Sequence, residues 1–245
     1  MLRARTFKVR KQTLFMEELP YFDKLISRFE VDKICGECKR MRAFAEEADK
    51  KGHATRSAFE IGTWSHAPEE LKVPVDVLIV AEGHGGGNEH WSDNPRGQFD
   101  VALNFYDYSI SKERTFFNLE VCRMMKRLDE LEINWFFTDM MKCFVSFNAP
   151  KRKDNNFCLA LQECRKHLVR QVDMLKPKVI VCLGNLVSKN FGEFFEGQQD
   201  ILDRMIPCKF PSQMAANSWV KDQYDGPIGE DMRLIKEIRQ RLRKN

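Results

Sequence analysis

Apolar and polar positions along this chain switch between two rhythms, and the switches mark out the elements. Val75-Asp-Val-Leu-Ile-Val80 is a short, nearly continuous apolar run that ends in a glycine-rich stretch, Glu82 to Asn88. Such a run is how a strand buried on both faces reads when a ligand loop follows it. Glu113 to Leu131 has the spacing of an amphipathic helix, and Ile133-Asn-Trp-Phe-Phe-Thr138 is the next strand. Phe157 to Leu175 places Leu161, Leu168, Val172 and Leu175 at helical spacing and stops before Pro177, which cannot continue a helix. Val179 to Leu183 is a third strand, closed by Gly184. Asn185 to Phe195 suits a helix, Arg204 to Phe210 a fourth short strand, and Glu230 to Arg243 a final amphipathic helix. Before all of these, Phe15 to Asp49 reads as helical around Cys35-Gly-Glu-Cys38, and Lys50 to Pro74 as mixed and irregular.

Strands alternating with helices predict a mostly parallel sheet with helices on both faces. In such sheets ligands bind beyond the carboxyl ends of the strands. The loops after Val80, Thr138 and Phe210 leave from those ends, so the search for chemistry begins there.

The 245 residues suffice for one sizeable core. A composition 43% apolar and 31% charged is that of a soluble globular protein, and no apolar run approaches the roughly 20 residues of a membrane span. Met1 to Lys11 is basic but precedes no apolar core, so no secretory signal is expected. The net charge of +4 is small, yet Arg3, Arg5, Lys8, Arg10 and Lys11 cluster at one end, and Arg239, Arg241, Arg243 and Lys244 at the other. Such runs are either solvated ends or polyanion contacts.

Eight cysteines without an export signal point to a reducing, cytoplasmic setting, where thiols bind metal or pack in the core. Cys182 and Cys208 lie in strands and read as core residues. Cys35 and Cys38 form a C-x-x-C pair that needs two more ligands from Cys122, Cys143, Cys158 and Cys164. Four thiolates suit either zinc or a cubane iron–sulfur cluster, and spacing alone does not choose. Cys158 competes with Cys164 for the last place.

Several stretches, in order, are similar to the motifs of the family 4 uracil-DNA glycosylases. They are Cys35-Gly-Glu-Cys38, Ala81-Glu82-Gly83-His84-Gly85, Gly97-Gln98-Phe99 and Thr138-Asp139-Met140-Met141-Lys142-Cys143. Cys164-Arg165-Lys166-His167-Leu168, Leu175-Lys-Pro-Lys-Val-Ile-Val-Cys-Leu-Gly184 and Phe210-Pro211-Ser212 follow. Gly85-Gly86-Gly87-Asn88 resembles the Gly-Gly-Asn of family 5. The chain departs from the family 4 pattern where His84 replaces a proline, Asp139 an asparagine and Phe210 a histidine.

The resemblance implies a three-layer α/β/α fold on a mostly parallel four-stranded sheet. It implies one domain over 1–245, with 1–34 a basic extension leading to the cluster-binding segment. It assigns a 4Fe–4S cluster to Cys35, Cys38, Cys143 and Cys164, with zinc as the lesser occupant. It also favours Cys164 over Cys158 through the C-R-x-x-L context.

The expected activity is that of a monofunctional DNA glycosylase with water as nucleophile, acting as a monomer on DNA that carries a damaged base. Glu82 would orient the water, while Gly83 and Gly85 allow close backbone approach. Phe99 would stack on the flipped base, and Asp139 would read its edge or activate water. His84 or His90 would supply the polar contact that Phe210 cannot. Pro211, Ser212, Gln213, Met214 and Asn217 would meet the DNA backbone and wedge into the duplex. The second reading is a catalytically weak or inactive iron–sulfur protein of this fold that binds nucleic acid.

Overall fold

The computed structural model describes residues 55–56, 64–65, 73–83, 116–141, 144–145, 155–211, 216–224 and 232–244. In chain order the strands and helices are β1 (Thr55–Arg56), β2 (Trp64–Ser65), β3 (Val77–Gly83), α1 (Phe116–Glu130), β4 (Trp135–Met141) and β5 (Phe144–Val145). They continue as α2 (Asn155–Leu175), β6 (Val179–Leu183), α3 (Asn185–Phe194), α4 (Gln199–Leu202), β7 (Met205–Cys208), α5 (Ala216–Gln223) and α6 (Arg233–Leu242).

The main sheet runs β2-β4-β3-β6-β7. β4, β3, β6 and β7 are mutually parallel, the four-stranded sheet expected from the alternating pattern. The two-residue β2 adds an antiparallel edge against Phe136 and Phe137, and β1 pairs with β5 in a separate ribbon. Both short strands fall in the tract read as irregular. Two residues are too few to show a period, so only pairing reveals them.

Alternation along the strands divides the core in two. Leu78, Val80, Phe136, Met140, Ile180 and Cys182 face α2 and α3, meeting Leu161, Leu168, Val172, Leu175, Val187, Phe191 and Phe194. Val77, Ile79, Ala81, Trp135, Phe137, Val181 and Leu183 face the other way. There they meet Val121, Met124 and Leu128 of α1, Trp219 of α5, and Leu234, Ile235 and Ile238 of α6. Three layers result, with helices on both faces.

The amino edge of the sheet is clamped by Asp76. Its carboxylate accepts from the backbone amide of Asn134 at 3.0 Å and from Lys178 Nζ at 2.8 Å, joining the starts of β3, β4 and β6. α2 ends as the sequence predicts. Lys176 adopts a left-handed conformation (φ 46°), its amide bonds back to the carbonyl of Val172, and Pro177 follows. No helix among the described residues is long and apolar enough to cross a membrane.

β3 and β4 run about three residues further than their apolar runs suggested. Gly83 pairs with Met141, so Glu82, Gly83 and Asp139 are strand residues rather than loop residues. The ladder continues because the pairing bonds are backbone bonds, indifferent to the polarity of Glu82 or Asp139.

Leu168 is fully buried where α2 meets the sheet. We expect Leu168→Ala to lose about 3 kcal/mol of stability and about 6–12 °C in Tm. Urea and thermal unfolding followed by circular dichroism check this.

Candidate functional site at the carboxyl edge

The connections fix where a ligand can sit. β3 leads through α1, in one helical layer, to β4. β6 leads through α3, in the other layer, to β7 on the opposite side. The chain therefore departs in opposite directions from two adjacent strands, β3 and β6. Such a switch point opens a crevice beyond their carboxyl ends.

The residues framing that crevice line up across four strands: Asp139 on β4, Glu82 and Gly83 on β3, Gly184 after β6 and Phe210 after β7. Three inter-strand steps of about 4.8 Å separate the outer pair by roughly 14 Å, enough for one nucleotide laid across the edge. Ala81 is the register partner of Asp139, so Asp139 extends the face covered by α1, α5 and α6, and Glu82 extends the face covered by α2 and α3. The two carboxylates thus approach the edge from opposite sides of the sheet. Asp139 is nearly buried, at 8% exposure, and Glu82 is half-buried.

Gly184 has φ 106° and ψ 152°, a conformation that side chains rarely adopt. A Cβ built there would stand 3.4 Å from Phe210 Cβ. The amide of Gly184 donates to the carbonyl of Cys208 at 2.7 Å. These contacts close β6 onto β7 and hold Phe210 at the edge, where it is 37% exposed. Pro211 beside it is buried, and Asn217, in the first turn of α5, is exposed.

Of the other residues singled out by sequence, His84, Gly85, His90, Phe99, Ser212, Gln213, Met214, Cys35, Cys38 and Cys143 lie outside the described residues. Cys122 and Cys158 fall on α1 and α2 with side chains outside the description. Cys164 is 3% exposed on the sheet-facing side of α2, in the same buried cluster as Met140, three residues before Cys143. Its neighbour Arg165 donates to the carbonyl of Phe194 at 2.5 Å and lies over the Phe194 ring at 5.5 Å. Cys182 and Cys208 are buried core thiols, as their strands predicted. Burial, with the charges of Glu237 and Asp222, pushes the Cys208 thiol up to about 12, and burial pushes Cys182 up as well. Neither is a thiolate near neutral pH.

A buried acid beside the crevice has no counterpart in the sequence reading. The Glu120 side chain has 0% exposure. Its Oε2 accepts from Trp219 Nε1 at 2.8 Å and Tyr224 Oη at 2.9 Å, and its Oε1 accepts from Arg123 at 2.6 Å. Nearby, Gln223 donates to Cys208 Sγ at 3.7 Å and accepts from the amide of Leu234 at 3.2 Å. Lys209 Nζ pairs with Asp222 at 2.5 Å and donates to Ser218 at 3.1 Å. α5 is thereby tied to α1, β7 and α6. A single glutamate inside a helical run carries no sequence signal of burial. The one hint is its place four residues after Phe116 and one before Val121, on the apolar stripe of the helix.

A sequence profile described as the uracil DNA glycosylase superfamily matches residues 75–225, more than half of the chain. No curated protein matches it.

Burial and the hydrogen bond to Glu120 push the Tyr224 phenol from its ordinary 10 up to about 12. The folded state therefore prefers the neutral phenol. Its stabilisation is complete below pH 10 and is lost as pH rises towards 12. We expect the stability gap between the wild type and Tyr224→Phe to be constant up to pH 10 and to narrow above it. Urea unfolding at stepped pH measures the gap.

Proposed function

From the premise that this chain belongs to the uracil-DNA glycosylase superfamily, we propose that it is a monofunctional DNA glycosylase of base-excision repair. It would hydrolyse the N-glycosidic bond of a flipped uracil or other deaminated base. The observation that carries this reading is the alignment of Glu82, Gly83, Asp139, Gly184 and Phe210 along the carboxyl edge at the switch point.

Extruding a base from the duplex costs a few kcal/mol, part of which stacking and edge contacts return. Phe99 is the proposed stacking face, at roughly 1–3 kcal/mol. Gly83 and Gly85 allow the backbone to approach sugar and base without a Cβ between them. Glu82 orients a water molecule. The water oxygen bonds to C1′, the C1′–N bond breaks, and the base leaves with the electron pair while the water's proton passes to carboxylate or solvent. The sequence motifs place no lysine at an evident nucleophile position, so no covalent enzyme–sugar step is invoked. His84 supplies the polar contact on the base that Phe210 cannot make. Pro211, Ser212, Gln213, Met214 and Asn217 engage the DNA backbone and wedge the duplex.

Asp139 sets the base. An ionised carboxylate only accepts hydrogen bonds, whereas the asparagine that the family carries both accepts and donates. An ionised Asp139 favours a base presenting a donor, and a protonated one tolerates uracil.

Cys35, Cys38, Cys143 and Cys164 would hold a 4Fe–4S cluster. Of that set Cys164 falls among the described residues, buried on the α2 face packed against β4; the set itself rests on the motif resemblance. Bound there, the cluster would act structurally, tying the N-terminal segment to the end of β4.

The test is an oligonucleotide panel of uracil, hypoxanthine, xanthine and thymine mismatches, read by alkali cleavage of abasic sites across pH. We expect cleavage of at least one, and Asp139→Asn to shift preference towards uracil by about tenfold or more. Uracil as sole substrate with Asp139→Asn unchanged removes the role given to Asp139. DNA binding with no cleavage of any base favours the inactive nucleic-acid-binding reading.

For the cluster, anaerobically purified protein is expected to be brown, and Cys164→Ser to lose the colour. A colourless protein containing stoichiometric zinc would replace the cluster with zinc.

A further inference from the structure

Glu120 is a fully enclosed carboxylate, so it touches neither DNA nor base. Its three donors come from its own helix and from both ends of the Trp219–Tyr224 segment. Lys209, at the end of β7, reaches Ser218 and Asp222. Phe210 and Asn217, both exposed, are each one residue removed from the Lys209–Ser218 hydrogen bond. The Lys209–Ser218 bond therefore ties the backbone next to Phe210 to the backbone next to Asn217, and these two exposed residues offer a stacking face and an amide that donates and accepts. β7 and α5 are the two stems of the segment that carries them, and both stems are tied down from behind.

We propose that Glu120 and Lys209 are positioning residues for DNA engagement: they fix Phe210 and Asn217 before DNA arrives. The inference rests on the proposed DNA-binding reading but not on catalysis. A fixed pair loses little freedom on binding, while an untethered pair must be ordered at the moment of contact. The charge of Glu120 matters as well as its shape. Gln is nearly isosteric, yet its amide nitrogen must face either the Arg123 guanidinium or the Trp219 indole N–H, and neither can accept a hydrogen bond.

The experiment uses the full chain and two probes, an undamaged duplex and a duplex with one uracil opposite guanine. Fluorescence anisotropy gives Kd, and steady-state cleavage gives KM and kcat. For Glu120→Gln we expect Kd and KM to rise about tenfold with kcat within about twofold of wild type. Lys209→Gln, an exposed change that keeps the core intact, should act in the same direction. In a Phe210→Ala/Asn217→Ala background the Glu120→Gln effect should shrink below about twofold, because nothing remains to be positioned.

A tenfold loss of equal size in both backgrounds, or a fall in kcat with KM unchanged, overturns the proposal. If Glu120→Gln fails to fold, Lys209→Gln in the same two backgrounds decides. Wild-type protein that binds duplex but cleaves none of the uracil, hypoxanthine, xanthine and thymine-mismatch duplexes retires the glycosylase reading and leaves this one to be judged on Kd. Wild-type protein that binds no duplex retires both.

Discussion

A strand with parallel neighbours on both sides has no solvent face, and β3, like β6 beside it, is such a strand. Its backbone pairs with β4 on one side and β6 on the other, and Val77 to Val80 have no exposed surface. Everything else follows from covering both of its faces. Parallel pairing requires crossover connections, and these place α1 in one layer and α2 and α3 in the other. Because the chain leaves β3 and β6 in opposite directions, the covering helices diverge at the carboxyl ends, and a switch point of this kind places a crevice there. The crevice is therefore a consequence of how the sheet is buried. Its floor is made of backbone that the ladder already holds rigid, and that rigidity lets Glu82 and Asp139 keep fixed positions on neighbouring strands.

The two edges of the sheet do different work. At the amino edge, Asp76 satisfies an amide of the β4 approach and the ammonium of Lys178, and Trp135 donates to Asp129. These pairs close that edge. At the carboxyl edge polar groups are instead placed on strand ends, and the tethering is moved sideways onto α5. The Glu120 network is the expensive part of that arrangement. A buried carboxylate is tolerable only when its lone pairs are met by well-placed donors, and here an indole, a phenol and a guanidinium meet them. Removing one partner leaves a buried charge under-satisfied, whereas an apolar replacement of the whole group could be neutral. The network also joins α1 to both ends of the Trp219–Tyr224 segment, which fixes α5 against the sheet.

Most of the sheet was legible in the sequence because buried parallel strands write themselves as apolar runs. Val75–Val80 and Val179–Leu183 needed no further information, and Lys176-Pro177 announced the end of α2. The tetracysteine proposal and Asp139 were legible through resemblance to a known pattern, not through spacing. What escaped was whatever depends on tertiary pairing. α5 has only Trp219 and Val220 as large apolar residues among Asn217, Ser218, Lys221, Asp222 and Gln223, so it reads as a polar turn. It is a helix because its polar side chains are consumed by α1, β7 and α6. The added length of β3 and β4 escaped for a related reason, since backbone pairing carries a strand past the point where its side chains cease to be apolar.

The chemical character of the edge also separates this chain from the pattern it resembles. Where that pattern has an amide that donates and accepts, this chain has the carboxylate of Asp139. Where it has an imidazole, this chain has the exposed ring of Phe210, packed beside Gly184. Both changes remove hydrogen-bond donors from the crevice. A departing base carries negative charge, and donors aimed at that charge are the usual means of lowering the barrier. In the proposed site the donors would then come from His84 and from backbone amides at the end of β3 and in the glycine-rich stretch after it, or the base would itself leave more easily. Under the proposed reading, an edge poorer in donors and richer in apolar surface would hold a base more by stacking and exclusion of water than by hydrogen bonding. Stacking depends on where a ring stands, so if Phe210 adds to the stacking proposed for Phe99, the accuracy with which it is held would count for more than with an imidazole in its place.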